Sequence, residues 1–499
     1  MTSAIKFSPP RATKADGAHH ARAAAANTAV VDRAEGVLRD ALSGTAKVER
    51  ILLKAAAGAG KSHALRRLVE KSVAHPASPR VAVVAFTHRQ THGLAGPLGK
   101  SLGKKVVCLF VSEKRLHDVP DDVRKKVTIA STATAIPPDC RVVIATCRKL
   151  GSPREKERQV AALGPANNGK SPYDVLFVDE AWQIPHHLFD GVSAYAPITV
   201  GVGDVGQLPP LESGVNPWRG DPGYNPFRAW PTDFEDDEHT WSEELPTVWR
   251  PPAGQLGLWR AFYPEWSELD CVAGPDDRLL DAPGLRGVAA RIWRQVGTGI
   301  PTLLEVDGLP APESPDVDLP MMEAVESLLD ELFASGFRLG RADYDLSGTP
   351  TGTTSEFGPG DKPPDPLVAI LATRNQTVDD AGDVVERLCD KHSLTERDIV
   401  SSTVDSYQGQ TNGITVAVHP LSGATDLDAF NSAFGRLAVT CTRATHGLLV
   451  FARPGLDLLL NEAPARPGTP FGEPGTRQLP RQTHQRILDA FARGSVSPS

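Results

Sequence analysis

Ile51-Leu52-Leu53-Lys54-Ala55-Ala56-Ala57-Gly58-Ala59-Gly60-Lys61-Ser62 runs from an apolar stretch into a glycine-rich turn and ends on a lysine and a hydroxyl. The order reads as a strand, a phosphate-binding loop and a helix start. Glycines let the backbone curl so that several N–H groups face one phosphate, and the following helix adds the positive end of its dipole. Gly58, Ala59 and Gly60 therefore form the cradle. Lys61 is placed to reach the β- and γ-phosphates of a nucleoside triphosphate, and Ser62 to hold its Mg²⁺. The usual pattern begins with glycine, and Ala55 stands at that position.

Such a loop needs an acidic partner strand. Asp174-Val175-Leu176-Phe177-Val178-Asp179-Glu180 supplies one, with two carboxylates at its C-terminal end. Asp179 is the candidate Mg²⁺ ligand and Glu180 the candidate base for an attacking water. A carboxylate beside the metal ligand suits hydrolysis better than transfer to a second substrate. Around these motifs, apolar runs at 51–53, 81–86, 142–146, 175–178 and 198–202 alternate with helical stretches, the signature of a parallel α/β sheet. A second α/β set follows. Its strands are expected at 301–306, 367–371, 414–419 and 448–451, and its helices near 321–334, 378–389 and 430–442.

Farther along comes Gly203-Asp204-Val205-Gly206-Gln207-Leu208-Pro209-Pro210. An amide such as Gln207 can hydrogen-bond a γ-phosphate and report its loss. The order of the phosphate loop, Asp179-Glu180-Ala181-Trp182-Gln183 and this segment resembles superfamily 1 helicases, and among them the branch of the eukaryotic nonsense-mediated-decay helicase. The likeness continues in Leu245-Pro246-Thr247-Val248-Trp249-Arg250, in Thr403-Val404-Asp405-Ser406-Tyr407-Gln408-Gly409-Gln410, and in Arg436 to Ala444. It implies two RecA-like parallel-sheet domains in tandem with small insertions. It further implies that Trp249 stacks on the base, that Arg250 and the arginine finger Arg443 meet the γ-phosphate, and that Gln408 and Gly409 line the nucleotide. Thr87, His88, Thr146, Thr373, Arg374 and Thr403 become candidate contacts to a single strand of DNA or RNA. Thr411 stands where the branch it resembles carries a glutamate.

The resemblance implies ATP and Mg²⁺ as cofactors, single-stranded nucleic acid as partner, and 5′-to-3′ movement. A gated clamp that recruits a separate nuclease is the alternative reading. Charge adds detail: the chain of 499 residues carries a net −8, yet 100–158 hold fourteen Lys/Arg against seven Asp/Glu. That surplus suits phosphate contact. The acidic run 233–238 reads as a solvated loop or linker. No apolar run reaches the length of a membrane helix, so the cytoplasm is the expected compartment. Six scattered cysteines without a C-x-x-C pair fit neither a disulfide framework nor a metal cluster. The expected organisation is a disordered tail at 1–27, with a transit peptide as its alternative, and a first domain at 28–232 with a basic insertion near 97–138. A second domain follows at 245–460 with an insertion near 340–366, and then a Pro/Gly/Arg-rich tail at 461–499 holding one short amphipathic helix near 483–492.

Overall fold

Continuous apolar runs form strands buried on both faces, and such strands assemble in parallel sheets covered by crossover helices. The computed structural model describes residues 5–12, 17–167, 169–206, 210, 225–264, 266, 269–314, 317–427, 431, 434–463 and 480–497. By internal contact the chain divides into two compact units. One comprises Ala26–Val205 and Pro209–Leu245; the other comprises Met1–Ala25, Gly206–Leu208 and Pro246–Ser499.

The first unit is built on eight strands: β1 (Arg50–Ala55), β2 (Val81–Ala85), β3 (Val107–Phe110), β4 (Thr128–Ala130), β5 (Val142–Thr146), β6 (Val175–Asp179), β7 (Ile198–Gly203) and β8 (Thr240–Leu245). They pair in parallel in the order β4-β3-β5-β2-β6-β7-β1-β8. Because β6 and β7 lie between β1 and β2, the chain leaves β1 and crosses over two strands before pairing again. The loop after β1 thus shares the carboxyl edge of the sheet with the ends of β6 and β7, where open α/β sheets place their ligands. Ile51, Leu52 and Leu53 are fully buried, and each such side chain contributes about 1.5–3 kcal/mol.

Three expectations are corrected here. The basic segment 97–138 is not a separate insertion: its apolar core becomes β3, in register with β5 (Val107↔Val142), and β4 extends that edge. Its charge surplus sits on the connections, where Lys104, Lys105 and Lys125 are exposed. The acidic run is a loop, with Asp233, Asp236 and Glu238 exposed, and not a linker between domains, because several of its acids are tied to the first unit. Glu235 pairs with Lys54 at 2.7 Å and accepts from Trp182 Nε1 at 3.1 Å, Asp237 meets Arg50 at 3.3 Å, and Asp233 holds His186 and Arg228. Those acids lead into β8, which pairs with β1 from Arg50↔Thr240 to Ala55↔Leu245, so the unit runs past 232. Finally, the expected disordered tail at 1–27 runs into helix α1 (His20–Leu42). Alanine is the strongest helix former, and Ala23, Asn27, Val30, Ala34 and Leu38 fall on one buried stripe.

The second unit holds β9 (Thr247–Val248), β10 (Asp270–Cys271), β11 (Arg278–Asp281), β12 (Thr302–Val306), β13 (Arg338–Tyr344), β14 (Pro350–Phe357), β15 (Val368–Ala372), β16 (Ile399–Thr403), β17 (Asn412–Val418), β18 (Ala444–Ala452) and β19 (Ala492–Val496). Six of them form a parallel sheet in the order β16-β15-β17-β18-β12-β19. Helices Gly287–Gly297, Leu319–Ala334 and Asn375–His392 cover it, and Trp293 is buried among them with its indole N–H on the Leu328 carbonyl at 3.2 Å. The stretch near 340–366 is a hairpin, β13 and β14, on an antiparallel three-stranded sheet with β11. The expected C-terminal tail is also corrected. Its helix lies at Pro480–Leu488, and β19 then pairs with β12 (Thr302↔Ala492), with Ile487, Leu488 and Phe491 buried.

Candidate functional site

β1 delivers the chain to the loop at Ala55, and the backbone there decides which residues the motif requires. Gly58 and Gly60 have φ of 73° and 92°, the left-handed region that glycine enters without penalty. Ala55 is the last residue of the extended strand. Its position asks for no positive φ, which explains why alanine replaces the usual glycine. The loop is braced by Asn27 of α1, whose side-chain amide donates to the Ala59 carbonyl at 2.8 Å. Helix α2 (Lys61–Ala74) starts at Lys61 with no acidic residue in its first turn, so its positive end is left for an anion.

Lys61 faces the end of β6. Its ammonium lies 3.1 Å from Glu180 Oε2 and 3.7 Å from Asp204 Oδ2, with the lysine and glutamate side chains 13% and 14% exposed and the aspartate side chain fully covered. Burial acts to lower the lysine's pKa, but Glu180, Asp204 and Asp179 outweigh it and hold the ammonium above its ordinary range. Asp179 goes the other way. Burial, then the charge of Glu180, pushes its carboxyl up to about 7 against the pull of Lys61. Among the described residues its buried Oδ1 has no hydrogen-bond partner. A buried carboxylate in that condition calls for a cation.

The donor set fits Mg²⁺. Asp179 and Ser62 offer hard oxygens, and among the described residues no group of three or more His, Cys, Asp or Glu side chains forms a closed cage. Mg²⁺ is usually held by one or two carboxylates with waters and the substrate's own phosphates. Glu180 has φ of 50°, a left-handed conformation uncommon for glutamate, and its side chain meets Lys61. The turn passes close over β7. A Cβ at Gly203 would lie 2.8 Å from the Ala181 nitrogen, so only glycine fits there.

Sequence reasoning left Asp204 without a role, although its motif had been picked out; its covered carboxylate beside Lys61 is a third acid at this edge. It also passed over Asn27, which no motif flags. Gln207 lies outside the described residues.

In the second unit, Arg250 and Arg443 converge on one residue. Arg250 Nη1 donates to the Thr442 carbonyl at 2.9 Å, and Arg443 Nη2 to the Thr442 hydroxyl at 2.9 Å. Arg443 is buried and also donates from Nε to Val439 O at 3.1 Å and from Nη1 to Gln410 O at 3.5 Å. Gln410 follows Gly409, whose φ of 81° makes the sharp turn after β16 together with Gln408. Trp249 is partly buried against Ala23, Ala24 and Val272.

The candidate strand contacts cluster at carboxyl ends of neighbouring strands. Thr87 follows β2 and Thr146 closes β5, strands in register at Ala85↔Thr146. Thr373 and Arg374 follow β15, and Thr403 ends β16, in register at Ala372↔Thr403. Thr87 caps helix α3 (His88–Leu102), which His88 begins. Thr146 caps Cys147–Leu150, and Thr403 Oγ1 accepts from Ser406 N–H at 3.1 Å. These three hydroxyls thus already serve as local caps.

Residues 39–213 match the family described as AAA domain. No curated protein matches the chain. Among solved structures the chain is similar to the PRRSV helicase, at 13% identity over 84% of this chain and 55% of that one with a TM-score of 0.38. It is similar to the arterivirus nonstructural protein 10 (helicase), at 14% identity, 83% and 61% coverage and a TM-score of 0.39. It is also similar to the DUF1998 helicase MrfA bound to DNA, at 11% identity, 93% and 57% coverage and a TM-score of 0.42. The chain spans little more than half the length of these structures.

Proposed function

We propose that the chain is an ATP-hydrolysing motor of the superfamily 1 helicase type, acting on single-stranded DNA or RNA in the cytoplasm and moving 5′ to 3′. The observation that carries the reading is the grouping of Lys61, Asp179 and Glu180 at the carboxyl edge of a parallel sheet, directly after a loop with two left-handed glycines. The AAA-domain match over 39–213 and the ordered motifs in the second unit support it. In this reading Lys61 exchanges Glu180 for the β- and γ-phosphates. Glu180, released, accepts the proton of the attacking water. Ser62 and Asp179 hold Mg²⁺, which when bound neutralises charge on the β- and γ-oxygens. Arg250 and Arg443 meet the charge that develops on the γ-phosphoryl group, an effect of about 10³ to 10⁵ in rate. Trp249, Gln408 and Gly409 receive the base and sugar, and Gln207 senses the γ-phosphate. Thr87, His88, Thr146, Thr373, Arg374 and Thr403 track the phosphates of the strand.

A gated clamp that binds nucleic acid and works with a separate nuclease uses the same engine. One observation favours it: the basic segment builds the edge of the main sheet and not a domain of its own. Tailed duplexes separate the two, because a clamp hydrolyses ATP without releasing a strand. The reading as a whole is tested by ATP turnover with and without single strands. Lys61→Ala is expected to abolish turnover, and unchanged turnover would refute the assignment.

A further inference from the structure

The turn after β6 is wired to the first turn of α3 through two amides that the catalytic scheme does not use. β2 and β6 are neighbours (Val84↔Val178), so the residues just beyond their ends come together. Gln183 Nε2 donates to Glu180 Oε2 at 3.3 Å, the same oxygen that receives Lys61 Nζ at 3.1 Å. Gln90 Nε2 in turn donates to Gln183 Oε1 at 3.4 Å. The other end of the Gln90 amide accepts from the Thr87 backbone N–H at 2.8 Å and from its hydroxyl at 3.1 Å, while Gln90 N–H returns to Thr87 Oγ1 at 3.2 Å. The polarity of this chain has one solution. The Thr87 N–H only donates, so the oxygen of Gln90 faces it; its nitrogen then faces Gln183, and the nitrogen of Gln183 faces a carboxylate that only accepts.

We propose that Gln183 and Gln90 are positioning residues for Glu180, transmitting the state of the first turn of α3 to the carboxylate that activates water. The proposal rests on the hydrolytic role given to Glu180 above. When phosphates draw Lys61 away, Gln183 is, among the described residues, the remaining donor that aims the carboxylate. The orientation of Gln183 is set by Gln90, and that of Gln90 by Thr87. An amide is planar and cannot turn one end without the other. A strand phosphate competing for the Thr87 N–H therefore acts on Glu180 without touching it.

The test exploits a conflict between capping and relay. At this position, third in the helix, glutamate completes a capping box as well as glutamine does and also favours the helix dipole. Gln90→Glu is therefore expected to keep the melting temperature. Its second oxygen, however, captures the Gln183 N–H₂ and turns the Gln183 oxygen toward Glu180. Turnover is expected to fall roughly ten- to hundredfold, the scale of one hydrogen bond to a charged group, with the affinity for a non-hydrolysable ATP analogue unchanged. Gln90→Leu loses the side-chain half of the capping box but leaves Gln183 able to donate to Glu180, so it melts lower yet keeps more activity than Gln90→Glu. Gln183→Met, which fills the space without a donor, is expected to match Gln90→Glu. A merely structural role predicts the opposite order, with Gln90→Leu the worse variant. That order, or wild-type turnover in both Gln90→Glu and Gln183→Met, overturns the proposal. Lys61→Ala is run alongside: if it too keeps its activity, the hydrolytic reading fails first, whereas loss in Lys61→Ala alone condemns only the relay.

Discussion

Asp179→Asn should make this protein more stable at alkaline pH while removing its activity. The wild-type carboxyl titrates near 7 in the folded chain because burial and Glu180 oppose its charge, against about 3.9 in an unfolded chain. Between those values the folded state holds a proton that the unfolded state has lost, so stability is full below the lower value and declines as pH rises toward 7. Each pH unit is worth about 1.4 kcal/mol in the middle of that window, which gives roughly 2 to 3 kcal/mol between pH 5 and 8. Asparagine has nothing to titrate. Urea unfolding followed by tryptophan fluorescence, in chelator at pH 5, 6, 7 and 8, should show the variant gaining on the wild type by that amount. Adding Mg²⁺ and nucleotide should then stabilise the wild type more than the variant, since in the wild type the metal takes the place of the proton. A difference that stays flat from pH 5 to 8 would refute the electrostatic picture of this site.

Ala55→Gly, which restores the usual motif, should leave turnover within about twofold and cost about 1 kcal/mol in a denaturant melt, because the position is extended and buried and glycine adds only entropy to the unfolded chain. Arg443→Ala should lose hydrolysis by about 10³ or more while ATP-analogue binding, read by fluorescence anisotropy, survives; loss of soluble protein would instead mark the buried guanidinium as structural. Truncation before Pro480 removes β19 and the buried Ile487, Leu488 and Phe491, each worth about 1.5–3 kcal/mol. It should abolish cooperative melting, and an unchanged melt would show that β12 does not need this neighbour.

What the sequence made legible follows from how each element is stabilised. β1, β2, β5, β6 and β7 are buried on both faces, so they read as unbroken apolar runs, and the loop after β1 carries its backbone demands in its glycines. β8 was missed because an edge strand is only half covered: its Thr240-Trp241-Ser242-Glu243-Glu244 looks like a linker until Glu243 meets Arg33 of α1 at 2.6 Å. β19 hides for a similar reason, since Arg493 within it is held by Asp457 at 2.6 Å and bridges to Ser8, partners far away in sequence. α1 carries a signal, a helical stripe from Ala23 to Leu38, but the Ala/His/Arg-rich composition of its first turns masks it. At the site, motif order singled out Lys61, Asp179 and Glu180. The amide pair of Gln90 and Gln183 stayed invisible because it depends on β2 and β6 being neighbours, which no local pattern states.

The most direct test of the account is steady-state ATP hydrolysis by wild type and Glu180→Gln, with and without matched single strands of DNA and RNA. The account predicts that a strand stimulates the wild type, that this stimulation weakens steeply with salt, and that Glu180→Gln loses at least about a hundredfold in turnover while still binding ATP. Turnover indifferent to both strands, or a Glu180→Gln variant as fast as wild type, would contradict it.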